Sequence, residues 1–313
     1  MVLYHRPWFD AWVESAYGPA GFWRRHQPED HFATAATAGP QLASLVADLL
    51  AQHPAVTQMI DVGAGSGALL AGLVGFDVEL VGIDLRPQPP GLPPQIRWVE
   101  DLWDVRHGEW TTGAAGALLA EDGPVLLVAH EWLDDLPCPV VTRHVDGWRE
   151  LVVDDEGDEQ PGPRLTGSAL DWADRWWPHG GRAEIGLARD LAWRRLVGAV
   201  VDRGGCALMI DYGHELDARP RTGSLAGYRD GRQVIPVPNG ETNLTAHVAV
   251  DAVRAAGEES GARTAWCGRQ HERLAAAPAE PALADPLGEL VRRSQEVAYE
   301  RRWGDQWWLV QYA

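Results

Sequence analysis

The chain has 313 residues, 45% hydrophobic and 23% charged, which excludes a disordered chain and fits one large globular domain with insertions, or two domains. Its 27 basic residues, all arginine, against 45 acidic ones give a net charge of −18. That excludes lysine Schiff-base and P-loop chemistry and argues against a nucleic-acid partner. The N-terminal residues show no apolar signal segment, and no apolar run approaches the roughly 18 residues of a membrane span. Cys138, Cys206 and Cys267 are far apart and form no C-x-x-C. The expectation is a cytoplasmic protein with no metal site, no nucleic acid and no membrane among its partners.

In chain order, residues 41–52 set Leu42, Leu45, Val46, Leu49 and Leu50 on one helical face, closed by Pro54. A strand over 58–62 enters the turn Gly63-Ala64-Gly65-Ser66-Gly67, followed by a helix from Ala68 to about Val74. Strands are expected over 78–83, 96–99 and 125–129, with a proline-crowded, non-helical stretch over 86–94. Apolar runs flanking Asp146-Gly147 predict a hairpin over 140–153. The acidic, Gly/Pro-rich stretch 154–167 predicts a mobile loop. A helix should start at Leu187 and end at Gly204-Gly205, before a core strand over 206–210. Residues 213–240 predict a long crossing, then a helix over 245–256 and a strand over 263–267. An Ala/Pro linker (275–286), a helix (287–301) and a strand (307–312) complete the chain. Continuous apolar strands alternating with helices mean an α/β protein with a parallel sheet covered on both faces. Of the sixteen tryptophans, Trp172, Trp176 and Trp177 are candidates to line a groove.

The segment Asp61-Val62-Gly63-Ala64-Gly65-Ser66-Gly67 carries the most information. A glycine turn between a strand and a helix lets backbone approach a ligand closely. Gly63, Gly65 and Ala68 satisfy a loose dinucleotide pattern, which keeps a nicotinamide cofactor as an alternative. Three carboxylates favour S-adenosylmethionine. Asp61 precedes the first glycine by two residues, where a dinucleotide strand is usually apolar. Asp84 ends the next strand, where it can accept from ribose hydroxyls. Asp101 ends the third, where it can receive an adenine amine. The ammonium, ribose and adenine amine of that cofactor are all donors, and the predicted site extends to Ala64, Leu85 and Leu102.

His130-Glu131-Trp132-Leu133-Asp134-Asp135-Leu136-Pro137 follows the fourth strand, whose carboxyl end faces the ligand crevice. His130 and Glu131 should lie near the transferred methyl. Asp134 would share the face of Glu131 if a helical turn forms, and two carboxylates there would hold a guanidinium.

Four segments together resemble the MidA-like methyltransferase family. Asp61 to Gly67 matches its cofactor loop. His130 to Pro137 resembles its N-E-x-x-D-A-L-P segment. Ile210-Asp211-Tyr212-Gly213-His214 resembles I-D-Y-G-H. Gly223 to Arg229 and Leu244-Thr245-Ala246-His247-Val248 resemble G-T-L-R-x-Y-R and T-A-H-V-D. Phe32-Ala33-Thr34-Ala35 is similar to its F-x-T-A-P, which adds Thr34 to the cofactor residues. The family includes the mitochondrial complex I assembly-factor methyltransferase. The resemblance implies a class I methyltransferase fold: a Rossmann-like, mostly parallel seven-stranded sheet with an N-terminal helical cap and an inserted lobe. It places the cap over 1–55 and the core over 56–313, with insertions at about 140–185 and 214–246. It implies S-adenosylmethionine as cofactor and a protein arginine as methyl acceptor, with Tyr212 and His247 joining Glu131, Asp134 and His130 as catalytic candidates. Four positions depart from the family pattern. His31 replaces Asp, His130 replaces Asn, and Asn243 and Ala249 replace acidic residues. An adenosylmethionine-binding assembly or interaction protein with little turnover is the competing expectation.

Overall fold

The alternating apolar runs of the sequence become the middle of a seven-stranded sheet. A computed structural model describes residues 5–26, 31, 33–276 and 285–313. Its central strands are β1 (Gln58–Val62), β2 (Glu79–Asp84), β3 (Ile96–Glu100), β4 (Val125–His130), β5 (Gly205–Asp211), β6 (Arg263–Arg269) and β7 (Trp307–Tyr312). Their spatial order is β6-β7-β5-β4-β1-β2-β3. Neighbours from β5 to β3 pair parallel, and only β7 runs against its two neighbours. The register puts the carboxyl ends of β1, β2, β4 and β5 side by side: Val62 pairs with Ile83 and Ala129, and His130 with Ile210.

The helices that matter for the site are α1 (Trp8–Tyr17), α2 (Gln41–Gln52), α3 (Leu187–Arg203), α4 (Val250–Glu258) and α5 (Pro286–Trp303). Strand residues alternate between two cores with period two. Ile60, Val62, Leu127, Ala129, Ala207 and Met209 face α3 and α4 through Trp193, Leu196, Val197 and Val253. Met59, Leu126, Val128 and Leu208 face α2 and α5 through Leu42, Val46, Leu49, Tyr299 and Trp303. Each face is buried, which is why β4 and β5 at the centre read as apolar runs. No helix among the described residues is long and apolar enough to cross a membrane.

A smaller antiparallel sheet stands beside the core. Val140–His144 and Gly147–Val153 form the expected hairpin, extended by Arg182–Glu184, Glu159–Arg164 and Arg6–Pro7. Helix α1 packs on it through Trp8 and Trp12, whereas α2 packs on the central sheet, so the first 55 residues divide between the two sheets.

Several expectations change. The stretch 154–167 is a second hairpin, because the buried Asp154 carboxylate accepts from the amides of Glu156 and Asp158 and turns the chain into Glu159–Arg164. The helix after the glycine turn is short, Ala68–Ala71. The helix expected from 245 begins at Val250, because the preceding backbone is committed elsewhere. Asn243–Thr245 pairs with Ala226–Arg229, and the amide of Ala246 donates to the Asp134 carbonyl. Trp172 and Trp177 are core residues under the helix Gly167–Trp176, not groove walls, with Trp176 packed against them. Phe32 and the linker over 277–284 lie outside the described residues.

Trp193 is fully buried between α3 and the sheet, and its indole N–H donates to Gln311 Oε1 at 2.8 Å. Trp193→Ala should cost about 3–5 kcal/mol of stability, read from the midpoint of urea unfolding.

Candidate functional site

The glycine loop folds back over the end of β2, because the amides of Gly63 and Ala64 both donate to the Ile83 carbonyl, at 2.9 and 3.1 Å. Gly63, Gly65 and Gly67 adopt φ of +73°, +58° and +72°, a region that favours glycine. A Cβ on Gly63 would lie 2.5 Å from Trp132 Cδ1. Gly65 has nothing nearer than 4.0 Å, so the loop leaves open space there. Beyond it lies a cavity of about 710 Å³ at the carboxyl ends of the strands. Every residue expected for the site from sequence lines this one cavity except Gly67. Gly67 turns into the short helix with its Cα against Leu92, 2.6 Å from where a Cβ would sit.

The three strand-end acids differ in what they hold. Asp61 is buried, and among the described residues no hydrogen bond satisfies its carboxylate. Burial pushes it up to about 7, with the charge of His130 pulling the other way and that of Asp84 adding to the rise. Asp84 accepts from the Gly65 amide at 2.9 Å and from the Arg86 amide and Nε at 2.9 and 3.2 Å. It therefore ties the glycine loop to the next loop while facing the cavity. Asp101 lines the cavity and also has a structural role. Its Oδ1 takes the Leu102 and Thr112 amides and the Thr111 hydroxyl, and its Oδ2 takes the Ala115 amide. It secures the start of the helix Ala114–Leu119, and with one amide on Oδ2 it keeps acceptor capacity on that oxygen for an incoming amine. Burial works to raise its pKa, but the donated hydrogen bonds outweigh it and hold the carboxyl below its ordinary value. Trp103, Trp110 and Trp132 wall this half of the cavity, with Trp110 stacked on Trp132 at 6.3 Å between centroids. Sequence reasoning missed these aromatic walls.

The other half gathers the catalytic candidates. Glu131 has φ +48°, the left-handed region that a non-glycine residue occupies only when its surroundings hold it there. Its amide donates to the Ile210 carbonyl at 2.8 Å. Its Oε1 receives Gln306 Nε2 at 2.6 Å and the Ala35 amide at 3.4 Å. His130 Nε2 lies 3.2 Å from the same oxygen, an ion pair rather than an aligned hydrogen bond. Burial lowers the pKa of His130, yet Glu131, then Asp61 and Asp134, outweigh it and leave the imidazole above its usual range. Asp134 gives Oδ2 to the Thr245 hydroxyl at 2.8 Å, while its Oδ1 is buried with no partner among the described residues. Burial, then the charge of Glu131, pushes it up to about 6.

Glu131 and Asp134 do line one cavity, but not through the helical turn expected. Residues 131–137 form an irregular turn. It is fixed from beneath by the fully buried Asp211, whose Oδ2 accepts the amides of Leu133 and Asp134 at 3.0 and 3.2 Å. From the side, Arg189 donates to the carbonyls of Leu136, Ala246, His247 and Asp134. Tyr212 stacks on His247 with centroids 6.1 Å apart at the cavity rim. Thr34 lines the cavity within a turn closed by the Thr37 hydroxyl. Asp211 stood in a quoted motif and Arg189 in an apolar stripe, so both were findable. Nothing in the sequence marked Gln306.

With this geometry in place, the comparisons with known proteins are informative. A family model described as "Putative S-adenosyl-L-methionine-dependent methyltransferase" matches residues 83–268. The mitochondrial protein arginine methyltransferase NDUFAF7 of Danio rerio is 26% identical over 231 residues, covering 63% of this chain and 53% of that protein. Its Xenopus tropicalis counterpart is 30% identical over 167 residues, covering 51% of this chain and 34% of that protein. The chain thus spans about half or less of the length of these curated relatives. A superfamily member from Burkholderia thailandensis, crystallised with S-adenosyl-homocysteine, superposes with a TM-score of 0.75 at 20% identity, covering 99% of this chain and 88% of that chain. That likeness shows the class I methyltransferase fold. The residues here fit the cofactor, because a buried, unsatisfied carboxylate at Asp61 wants a cationic donor such as its ammonium.

That fit has a pH signature. Asp61 must be ionised to hold the ammonium, and in the free protein it is raised to about 7. Binding favours the ionised form and so releases a proton. Affinity for S-adenosylhomocysteine should therefore level off above pH 7 and weaken by up to about tenfold per unit below it. Calorimetry between pH 5.5 and 8 checks this, with Asp61→Asn binding weakly and without the slope. A wild-type affinity independent of pH would remove the ammonium from Asp61.

Proposed function

Since the chain belongs to the family of S-adenosyl-L-methionine-dependent methyltransferases, we propose that it transfers the methyl group to a guanidinium nitrogen of a protein arginine. The observation that carries this reading is the pair Glu131 and Asp134, two carboxylates on one wall of the cavity that also holds Asp61. Curated relatives bear the name protein arginine methyltransferase, which supports the same acceptor.

When bound, S-adenosylmethionine supplies an electrophilic methyl on a sulfonium, so that a nitrogen lone pair can form the N–C bond as the C–S bond breaks. The work left to the chain is positioning, charge and exclusion of water. Asp61 would hold the cofactor's ammonium and Asp84 its ribose. The Oε1 of Glu131 is fixed by Gln306, which leaves Oε2 to accept from the guanidinium; Asp134, whose Oδ1 is buried without a donor among the described residues, adds negative charge behind it. Two carboxylates localise the positive charge away from the nitrogen that attacks. Of the two histidines, His247 is the one kept neutral. Desolvation, then the charges of Arg189 and Arg269, lowers its pKa, so it can take the proton released after transfer. His130, beside Glu131 and Asp61, is instead the residue that balances their charge.

The test uses the purified protein, methyl-labelled cofactor and a lysate or an arginine-rich peptide, followed by acid hydrolysis and mass analysis. Methylarginine is the expected product. Glu131→Gln should cut labelling by about a hundredfold or more while S-adenosylhomocysteine affinity stays within a few fold. Label on another residue type, or undiminished labelling in that variant, would reject the acceptor.

A further inference from the structure

The cofactor that Asp61 attracts through its ammonium also carries an α-carboxylate, and the cavity is a hostile place for one. Asp61, Asp84, Asp101, Glu131, Asp134 and Asp135 all line it. An anion entering among six carboxyl groups needs a cation nearby. Two guanidiniums line the same cavity, Arg86 and Arg302. Arg86 is paired with Asp84 through its Nε at 3.2 Å. Arg302 has no hydrogen bond or ion pair among the described residues; its Cζ leans over the Trp303 ring at 4.9 Å.

The position of Arg302 is set by the core. It lies in the last turn of α5, whose inner residues Tyr299 and Trp303 share a buried cluster with Ala35 and with Leu69 after the glycine loop. Three residues beyond the helix's last residue, Gln306 reaches Glu131. The end of α5 therefore stands where the glycine loop, the 33–37 turn and the methyl-transfer wall converge. On the sequence alone, the Arg301-Arg302 pair reads as a solvated helix end favoured by the dipole.

We propose that Arg302 binds the α-carboxylate of the cofactor's methionine moiety. The amino-acid end would then be gripped from two sides, its ammonium by Asp61 on β1 and its carboxylate by Arg302 on α5. A guanidinium suits the task because its planar fork matches a carboxylate. The stack on Trp303 limits the freedom it must lose on binding.

Calorimetry with two ligands tests this without any turnover. S-adenosylhomocysteine carries the carboxylate; S-adenosyl-3-thiopropylamine keeps the amine and lacks it. Arg302→Gln should weaken the first by about tenfold and leave the second unchanged. Arg302→Lys should lose less than Arg302→Gln, and Arg301→Gln, whose residue does not line the cavity, should lose nothing. Thermal unfolding without ligand checks that each variant is folded. Unchanged affinity for S-adenosylhomocysteine in Arg302→Gln, or an equal loss for both ligands, overturns the proposal. If Arg302→Gln does not fold, the same comparison in Arg302→Lys decides it: a loss confined to the carboxylate-bearing ligand supports the proposal, and any other result rejects it.

Discussion

One buried guanidinium joins the parts of the cavity. Arg189 is 2% exposed, at the start of α3, and every hydrogen bond it makes goes to a backbone carbonyl. Those carbonyls belong to two segments distant in sequence, the turn after β4 and the strand-like stretch before α4. The indole face of Trp12 on α1 lies 5.7 Å from the same guanidinium. Taking a cation out of water costs several kcal/mol unless its surroundings answer the charge. Here the answer is at a distance. The carboxyls of Asp134, Asp135 and Asp211 are driven up first by burial, and Arg189 pulls each of them back toward ionisation. The buried acids and the buried base make one another tolerable. Removing the guanidinium would leave the acidic cluster with only the imidazole of His130 beside it and the 131–137 turn with only Ala246 and Thr245 to hold its side.

Parallel pairing explains why that turn lies beside the glycine loop at all. In an all-parallel stretch the carboxyl ends of the strands share one edge, and the ladder fixes which residue of each strand reaches it. Ala129 sits opposite Val62, so His130 and Glu131 emerge next to the loop that begins at Gly63. The left-handed backbone of Glu131 turns the chain sharply at that point, a conformation that costs on the order of 1–3 kcal/mol. The Ile210 carbonyl and Gln306 hold it from β5 and from the approach to β7. The strain is thus borne by neighbours on the β5 and β7 side of β4, and it aims a carboxylate into the cavity.

How much of this was legible depended on the range of the interaction. The sheet was legible because a strand buried on both faces writes itself as a continuous apolar run, as in β4 and β5. The cofactor half was legible because the glycine loop is local: Asp61, Gly63 and Gly65 need each other within five residues. The acceptor half was less so. Glu131 was found because it follows the end of β4, but Asp134 was joined to it by a helical turn that does not exist; Asp211 brings their turn together from 77 residues away. Arg189 had a readable signal. It opens the buried series Arg189, Ala192, Trp193, Leu196, Val197, Val200, a charge in the first position of an apolar stripe. Gln306 had none, since a single polar residue ahead of a strand usually faces water. The second hairpin was misjudged because acidity and glycine content describe the 154–167 segment alone, while its pairing depends on the register offered by Gly147–Val153.

The charge of the chain acquires a structure from these particulars. Most of the −18 lies on the surface and serves solubility. The part inside the cavity is different in kind, because each acid there answers to a different neighbour. Asp101 is engaged by Leu102, Thr111, Thr112 and Ala115, Asp84 shares Arg86, Asp211 holds the 131–137 turn from beneath the cavity, and Asp61 and Asp134 each keep an oxygen without a donor among the described residues. Engaged acids shape the site, and unsatisfied ones create the demand for a cation. A cofactor with an ammonium and a sulfonium meets that demand on one side, and a guanidinium acceptor would meet it on the other. The same field that draws both in disfavours an unescorted anion. A preference for cationic ligands would therefore follow from leaving particular buried carboxylates without protein partners.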